Sequence, residues 1–164
     1  MHEWQRGSFT ISTEKSRIDV AAVHDFLSHS YWAAGIDVPT VQRGIEHALC
    51  FGLYDGAQQI GFARVITDYA RFAYLADVFV LDAYQGQGLG TWLIEVIMAH
   101  PELQDVWRWL LATRDAHALY AKVGFTPLTE PERWMSRMSP ARAALVAAQN
   151  QAQGHQHEPD DRSG

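Results

Sequence analysis

The segment Asp77-Val78-Phe79-Val80-Leu81-Asp82-Ala83-Tyr84-Gln85-Gly86-Gln87-Gly88-Leu89-Gly90-Thr91-Trp92-Leu93 constrains this chain more than any other. An apolar strand pattern runs into a loop with three glycines, and a helical pattern follows at once. Glycine admits left-handed backbone and puts no Cβ between the main chain and a ligand. The open N–H groups and the dipole of a helix start favour an anion. The segment therefore predicts either a phosphate cradle or a glycine turn that only joins strand to helix. A Walker A loop is excluded, because Leu89-Gly90-Thr91 has no lysine. A dinucleotide fingerprint fits poorly: Gly86 and Gly88 match G-x-G-x-x-G, but Thr91 stands where the third glycine belongs. The loop also follows the fourth predicted strand rather than the first of a βαβ unit.

The rest of the chain supplies the frame. Period-two or continuous apolar runs predict strands at 9–12, 49–54, 59–67, 72–81 and 106–112, with Asp55-Gly56 as a hairpin turn. Helical spacing predicts helices at 18–29, at 40–48 with Thr40 as N-cap, and at 88–100, where Pro101 stops the run. A short helix at 115–123 ends at Gly124. Short strands are expected at 125–126 and 134–138, then a last helix at 139–150 capped by Ser139. The order predicts an α+β fold whose second half is of α/β type. A chain of 164 residues suits one domain, expected over 1–150. Residues 151–164 hold no hydrophobic residue beyond Ala152 and are expected to be disordered.

Charge and cysteine use narrow the partners. Thirteen basic and nineteen acidic residues leave a net charge of −6. That argues against a nucleic-acid surface or docking on anionic lipid, and suits a cationic partner such as an amine. No run of about 18 apolar residues exists, and the N-terminus has no leader pattern, so a cytoplasmic protein is expected. Cys50, the single cysteine, lies in the apolar run Leu49-Cys50-Phe51-Gly52 and reads as a buried small hydrophobe. His155 and His157 stand in the polar tail. No metal-ligand set and no Ser-His-Asp arrangement can be assembled.

Gln85, Gly88 and Gly90 satisfy the pattern Q/R-x-x-G-x-G/A. With it, the segment resembles the GNAT superfamily of acyl-CoA-dependent N-acetyltransferases. Downstream, Leu110 to Phe125 is similar to the family's strand-helix-strand module. Ala116, Tyr120, Lys122, Gly124 and Phe125 fall in register with N-x-x-A-x-x-x-Y-x-K-x-G-F, and Thr113 stands where Asn is common. The resemblance covers roughly residues 8–138. It implies a central mixed, mostly antiparallel sheet flanked by helices, and acetyl-CoA as the acyl donor. By the same resemblance, backbone at Val78, Phe79 and Val80 and the loop Gln85, Gly86, Gln87, Gly88, Leu89, Gly90 and Thr91 would hold the donor, with Thr113 and Ala116 beside its pantetheine arm. The donor would lie in the opening between the strand of residues 72–81 and that of 106–112.

In the family, a tyrosine at the place of Tyr120 often protonates the departing thiolate. The other reading of Tyr120 is a packed core aromatic. Many relatives carry a Glu base at the position of Ala76; here the neighbouring Asp77 is the nearest carboxylate. In a regular strand Asp77 would face the other side of the sheet. A bulge would redirect it. The base is thus Asp77 or water, with Asp77 otherwise a structural carboxylate. Tyr31 and Trp32, in the loop between the first two helices, would wall the acceptor amine, whether a small molecule or a peptide; the other reading of Trp32 is a packing anchor that closes the loop. The acceptor, the acyl length and the oligomeric state stay open in the sequence, although relatives are frequently dimers. A non-catalytic acyl-CoA-binding module on the same fold is the alternative, since Ala76 lacks a carboxylate.

Overall fold

The computed structural model describes residues 1–154. The chain divides into two compact units, Met1–Thr126 and Pro127 onward. The first unit holds six strands and four helices: β1 (Glu3–Arg6), β2 (Phe9–Ser12), α1 (Val20–His29), α2 (Val38–Glu46), β3 (Leu49–Asp55), β4 (Gln58–Thr67), β5 (Phe72–Val80), α3 (Leu89–Met98), β6 (Arg108–Leu110) and α4 (His117–Ala121). The strands form one sheet in the order β1-β2-β3-β4-β5-β6. Every neighbouring pair is antiparallel except β5 and β6. The expected α+β class and mixed, mostly antiparallel sheet are therefore present.

Both faces of the sheet are covered. On one, Ile11, Phe51, Leu53, Ile60, Leu75 and Val80 pack under Leu89, Leu93, Ile94 and Ile97 of α3. On the other, Cys50, Phe62 and Phe79 pack under Val23 and Leu27 of α1 and Val41 and Ile45 of α2. Burial of these side chains, worth about 1.5–3 kcal/mol each, is what holds the helices to the sheet. Gly61 marks the tightest backbone approach: a Cβ there would lie 2.8 Å from the carbonyl oxygen of Phe79. Cys50 is fully buried and its thiol is pushed up to about 11 by desolvation, as suits a packed hydrophobe.

Several boundaries differ from expectation. The strand β1 joins β2 through the two-residue turn Gly7-Ser8, and only Trp4 within it is apolar enough to signal burial. The helix α2 starts at Val38, because Asp37 and not Thr40 caps it: Asp37 Oδ1 accepts the Thr40 N–H at 2.9 Å. The strand expected at 106–112 shortens to Arg108–Leu110. Residues 125–126 and 134–138 form no strand. In the second unit, Ser139 Oγ accepts the Arg142 N–H at 3.3 Å at the start of α5 (Pro140–Gly154). The helix thus runs through residues 151–154, which were expected to belong to a disordered tail. The rest of that tail, with His155 and His157, lies outside the described residues.

Candidate active site

The sheet parts where β5 leaves β6. Their ladder covers only Phe72 with Arg108, Ala73 with Trp109 and Tyr74 with Leu110. From Leu75 onward β5 has no strand partner on that side among the described residues. Three features border this opening: a bulge in β5, the loop after α1, and the chain that follows β6.

At the bulge, β5 shifts register against β4, with Phe62 opposite Phe79 but Arg64 opposite Ala76. One extra residue is accommodated, and Asp77 takes a left-handed φ of 54°. This turns Asp77 onto the α1/α2 face instead of the face that strict alternation would give it. There its Oδ2 accepts from Arg64 Nε, and its Oδ1 accepts from Trp32 Nε1 at 3.1 Å. The carboxylate is only 10% exposed. The helix α2 passes close over this pair: a Cβ on Gly44 would meet Arg64 Nη1 at 3.2 Å. A cavity of about 40 Å³ lies between α1, α2 and the sheet, and Arg64 and Asp77 are part of its lining.

The loop after α1 ties the bulge to the far side of the opening. Tyr31 and Trp32 meet edge to face, with ring centroids 5.0 Å apart. Trp32 reaches Asp77, while the Tyr31 hydroxyl accepts the backbone N–H of Arg114 at 3.0 Å. The Arg114 guanidinium lies over the Tyr31 ring, 4.0 Å from its centroid. Two aromatic side chains thus span from β5 to the segment beyond β6.

That segment carries the other expected residues. Thr113 Oγ1 accepts the Ala116 N–H at 3.0 Å and so braces the entry to α4. Tyr120 on α4 is buried, and its ring lies edge-on to Phe125 at 6.0 Å. Burial, with a smaller contribution from the phenol of Tyr31, pushes the Tyr120 hydroxyl up to about 12. Its phenol is therefore neutral across the physiological range.

The glycine loop forms at the end of β5. Gly88 is the N-cap of α3 in left-handed conformation, φ 74°, and no side chain caps the exposed N–H groups. Gly86 is also left-handed, φ 78°. Gln85 braces the loop from within, donating from Nε2 to Val80 O and to Asp82 Oδ1, both at 3.0 Å. Leu89 is buried and Phe79 stacks on Phe26 at 3.8 Å, so both turn their side chains into the core. Val80 is likewise buried in the core, while Val78 is half-buried. What Val78, Phe79, Val80 and Leu89 can offer a ligand is backbone.

Arg64 escaped the sequence reading, although it is a lone charge in the apolar run Ile60-Gly61-Phe62-Ala63-Arg64-Val65-Ile66. Such a charge on the buried face of a strand demands a partner. Arg114 left no comparable signal, because its stacking on Tyr31 joins residues 83 positions apart.

The chain matches known proteins in sequence and overall fold. Residues 46–127 fit the family model described as an acetyltransferase (GNAT) domain. A mouse thialysine N-ε-acetyltransferase is 31% identical over 130 residues, which covers 77% of this chain and 71% of that protein. A Xanthomonas campestris crystal structure assigned to the GNAT family superposes with a TM-score of 0.79 and 47% identity, covering 83% of this chain and 96% of that one. The Escherichia coli ribosomal-protein-S18-alanine N-acetyltransferase superposes with a TM-score of 0.61 and 27% identity, covering 74% of this chain and 79% of that one. The family model and these likenesses in sequence and fold show that the chain belongs to the GNAT family as an acetyl-CoA-dependent N-acetyltransferase.

Proposed function

We propose that the protein transfers an acetyl group from acetyl-CoA to a primary amine by direct attack on the thioester. The observation that carries this reading is the buried, neutral Tyr120 phenol near Tyr31, while Tyr31 and Trp32 span the opening between β5 and the chain after β6. The donor would lie in that opening with its pyrophosphate on the open N–H groups of residues 85–91. The amine nitrogen attacks the carbonyl carbon, and the tetrahedral oxyanion is met by a backbone N–H near Val78 to Val80. The C–S bond then breaks, the leaving sulfur takes the Tyr120 proton, and the second proton that the attacking nitrogen sheds as it becomes an amide passes through water to restore the Tyr120 phenol. A thiolate is a poor leaving group unless it is protonated or held by a donor.

An alkylamine is mostly protonated near neutral pH and must lose a proton before it attacks. That proton passes to water or to Asp77. Both Asp77 oxygens already accept a hydrogen bond, and the adjoining cavity has room for water, which favours the water route. The acceptor is a small molecule or a peptide. Two relatives are named for amine acceptors of those kinds, and the net charge of −6 suits a cation.

Tyr120→Phe tests this. Turnover should fall about 100-fold, the scale of one general acid. The dissociation constant for acetyl-CoA should stay within about twofold. An unchanged turnover would remove Tyr120 from the chemistry. A second reading, an acyl-CoA-binding module, is favoured by Ala76 in place of a carboxylate. It would be supported if the wild type binds acetyl-CoA yet acetylates nothing in a broad amine panel.

A further inference from the structure

The glycine loop lacks a cation of its own. Between Arg71 and Arg108 the chain has no lysine or arginine. A pyrophosphate seated there would meet backbone N–H groups and a helix end worth about half an elementary charge. Asp82 lies at the same loop and opposes an anion.

The fold brings one free cation to this place from elsewhere in the sequence. The hairpin β1-β2 runs along the sheet, and Arg6, the last residue of β1, extends from it toward α3. Its Nη2 lies 3.8 Å from where a Cβ on Gly88 would stand, and no other side chain among the described residues beyond the chain neighbours of Gly88 comes within 4 Å of that point. Its guanidinium lies 5.9 Å from the ring centroid of Trp92, one turn further along α3. Among the described residues the Arg6 side chain forms no ion pair or hydrogen bond, whereas that of Arg17, packed near the same hairpin, is paired with Glu3. An exposed guanidinium held at a glycine N-cap, with its donors unspent, suits a phosphate.

We propose that Arg6 supplies in space the cation that the loop lacks in sequence, and binds the pyrophosphate of acetyl-CoA. The proposal rests on acetyl-CoA as donor in the loop described above. It makes the N-terminal hairpin part of the donor site, although it lies some 80 residues from the loop.

The test uses Arg6→Ala and Arg6→Lys in the full chain. Calorimetric dissociation constants are measured for acetyl-CoA, acetyl-dephospho-CoA and S-acetylpantetheine, the last by competition. For Arg6→Ala, acetyl-CoA should bind about tenfold more weakly, the scale of one charge-assisted hydrogen bond. Acetyl-dephospho-CoA, which keeps the pyrophosphate, should show the same loss, and S-acetylpantetheine, which has no phosphate, none. Arg6→Lys should recover part of the loss and report any folding defect separately. Equal binding of acetyl-CoA by wild type and Arg6→Ala would overturn the proposal. A loss that disappears with acetyl-dephospho-CoA would move Arg6 to the 3′-phosphate and overturn the pyrophosphate assignment. A loss that persists with S-acetylpantetheine would also overturn it. A wild type that binds none of the three would instead overturn the donor assignment itself.

Discussion

The Arg64–Asp77 pair should be a measurable part of both the fold and the site. Asp77 is nine-tenths buried, and Arg64 is 23% exposed. Arg64→Leu would leave the Asp77 carboxylate with Trp32 Nε1 as its remaining side-chain donor. Removing one partner of a fully buried pair costs about 3–5 kcal/mol. The partial exposure of Arg64 lowers the expectation to about 2–3 kcal/mol. Asp77→Asn removes the charge but keeps a residue that tolerates the left-handed φ of 54°, so backbone strain is not added. It should cost about 1–2 kcal/mol. In the double variant the stranded charge is gone, so the losses should fall short of their sum by about 1.5 kcal/mol. Urea unfolding of the four proteins measures this, read at constant m-value so that a midpoint shift reports stability. Arg64→Leu should also lower the melting temperature by roughly 4–12 °C for a chain of this size. A coupling below about 0.5 kcal/mol would refute the claim that these groups hold each other at the bulge.

Two further outcomes follow from named contacts. Gly61→Ala would bring a Cβ to 2.8 Å from Phe79 O, which is backbone and cannot swing aside; a loss of about 1–3 kcal/mol in the same unfolding assay is expected, and a neutral result would mean that β4 and β5 separate there easily. His100 is fully buried among His2, Trp4 and Phe51, and its Nδ1 accepts the Glu102 N–H at 3.3 Å. Burial first, and then the positive fields of His2 and the N-terminal ammonium, lower its pKa, while Glu102 acts in the opposite sense. The unfolded chain therefore binds a proton that the folded chain refuses. The stabilisation is complete above about pH 6.5 and is lost as the pH falls through the folded value, at no more than about 1.4 kcal/mol per pH unit. Unfolding midpoints between pH 7.5 and 5 should decline less steeply in His100→Gln than in wild type, and parallel slopes would exclude His100 as the source.

Local patterns carried much of this protein. Alternation and apolar runs marked β2 to β5, because half-buried strands must alternate or be buried throughout. Asp55-Gly56 marked their hairpin. The segment 77–93 marked the strand-to-helix turn, because Gly86 and Gly88 take φ values that other residues adopt at a cost. Boundaries set by competition between neighbours were less legible. Asp37 captured the cap expected of Thr40, since the chain enters α2 one turn earlier and a carboxylate there accepts the Thr40 N–H. The segment at 134–138 is apolar enough to suggest a strand, yet a strand needs a partner along its edge, and none pairs with it among the described residues.

The glycine loop and Tyr120 were visible in the sequence, because each lies in a contiguous motif that resembles one of the GNAT family. The direction of Asp77, its engagement by Arg64 and Trp32, the bridge from Tyr31 to Arg114 and the arrival of Arg6 at Gly88 were not. Each depends on a register shift or on two segments meeting across the sheet. A strand's own sequence states which residues alternate. Whether one extra residue is inserted opposite the next strand, and which distant side chain then stands beside it, is decided only when the whole sheet packs.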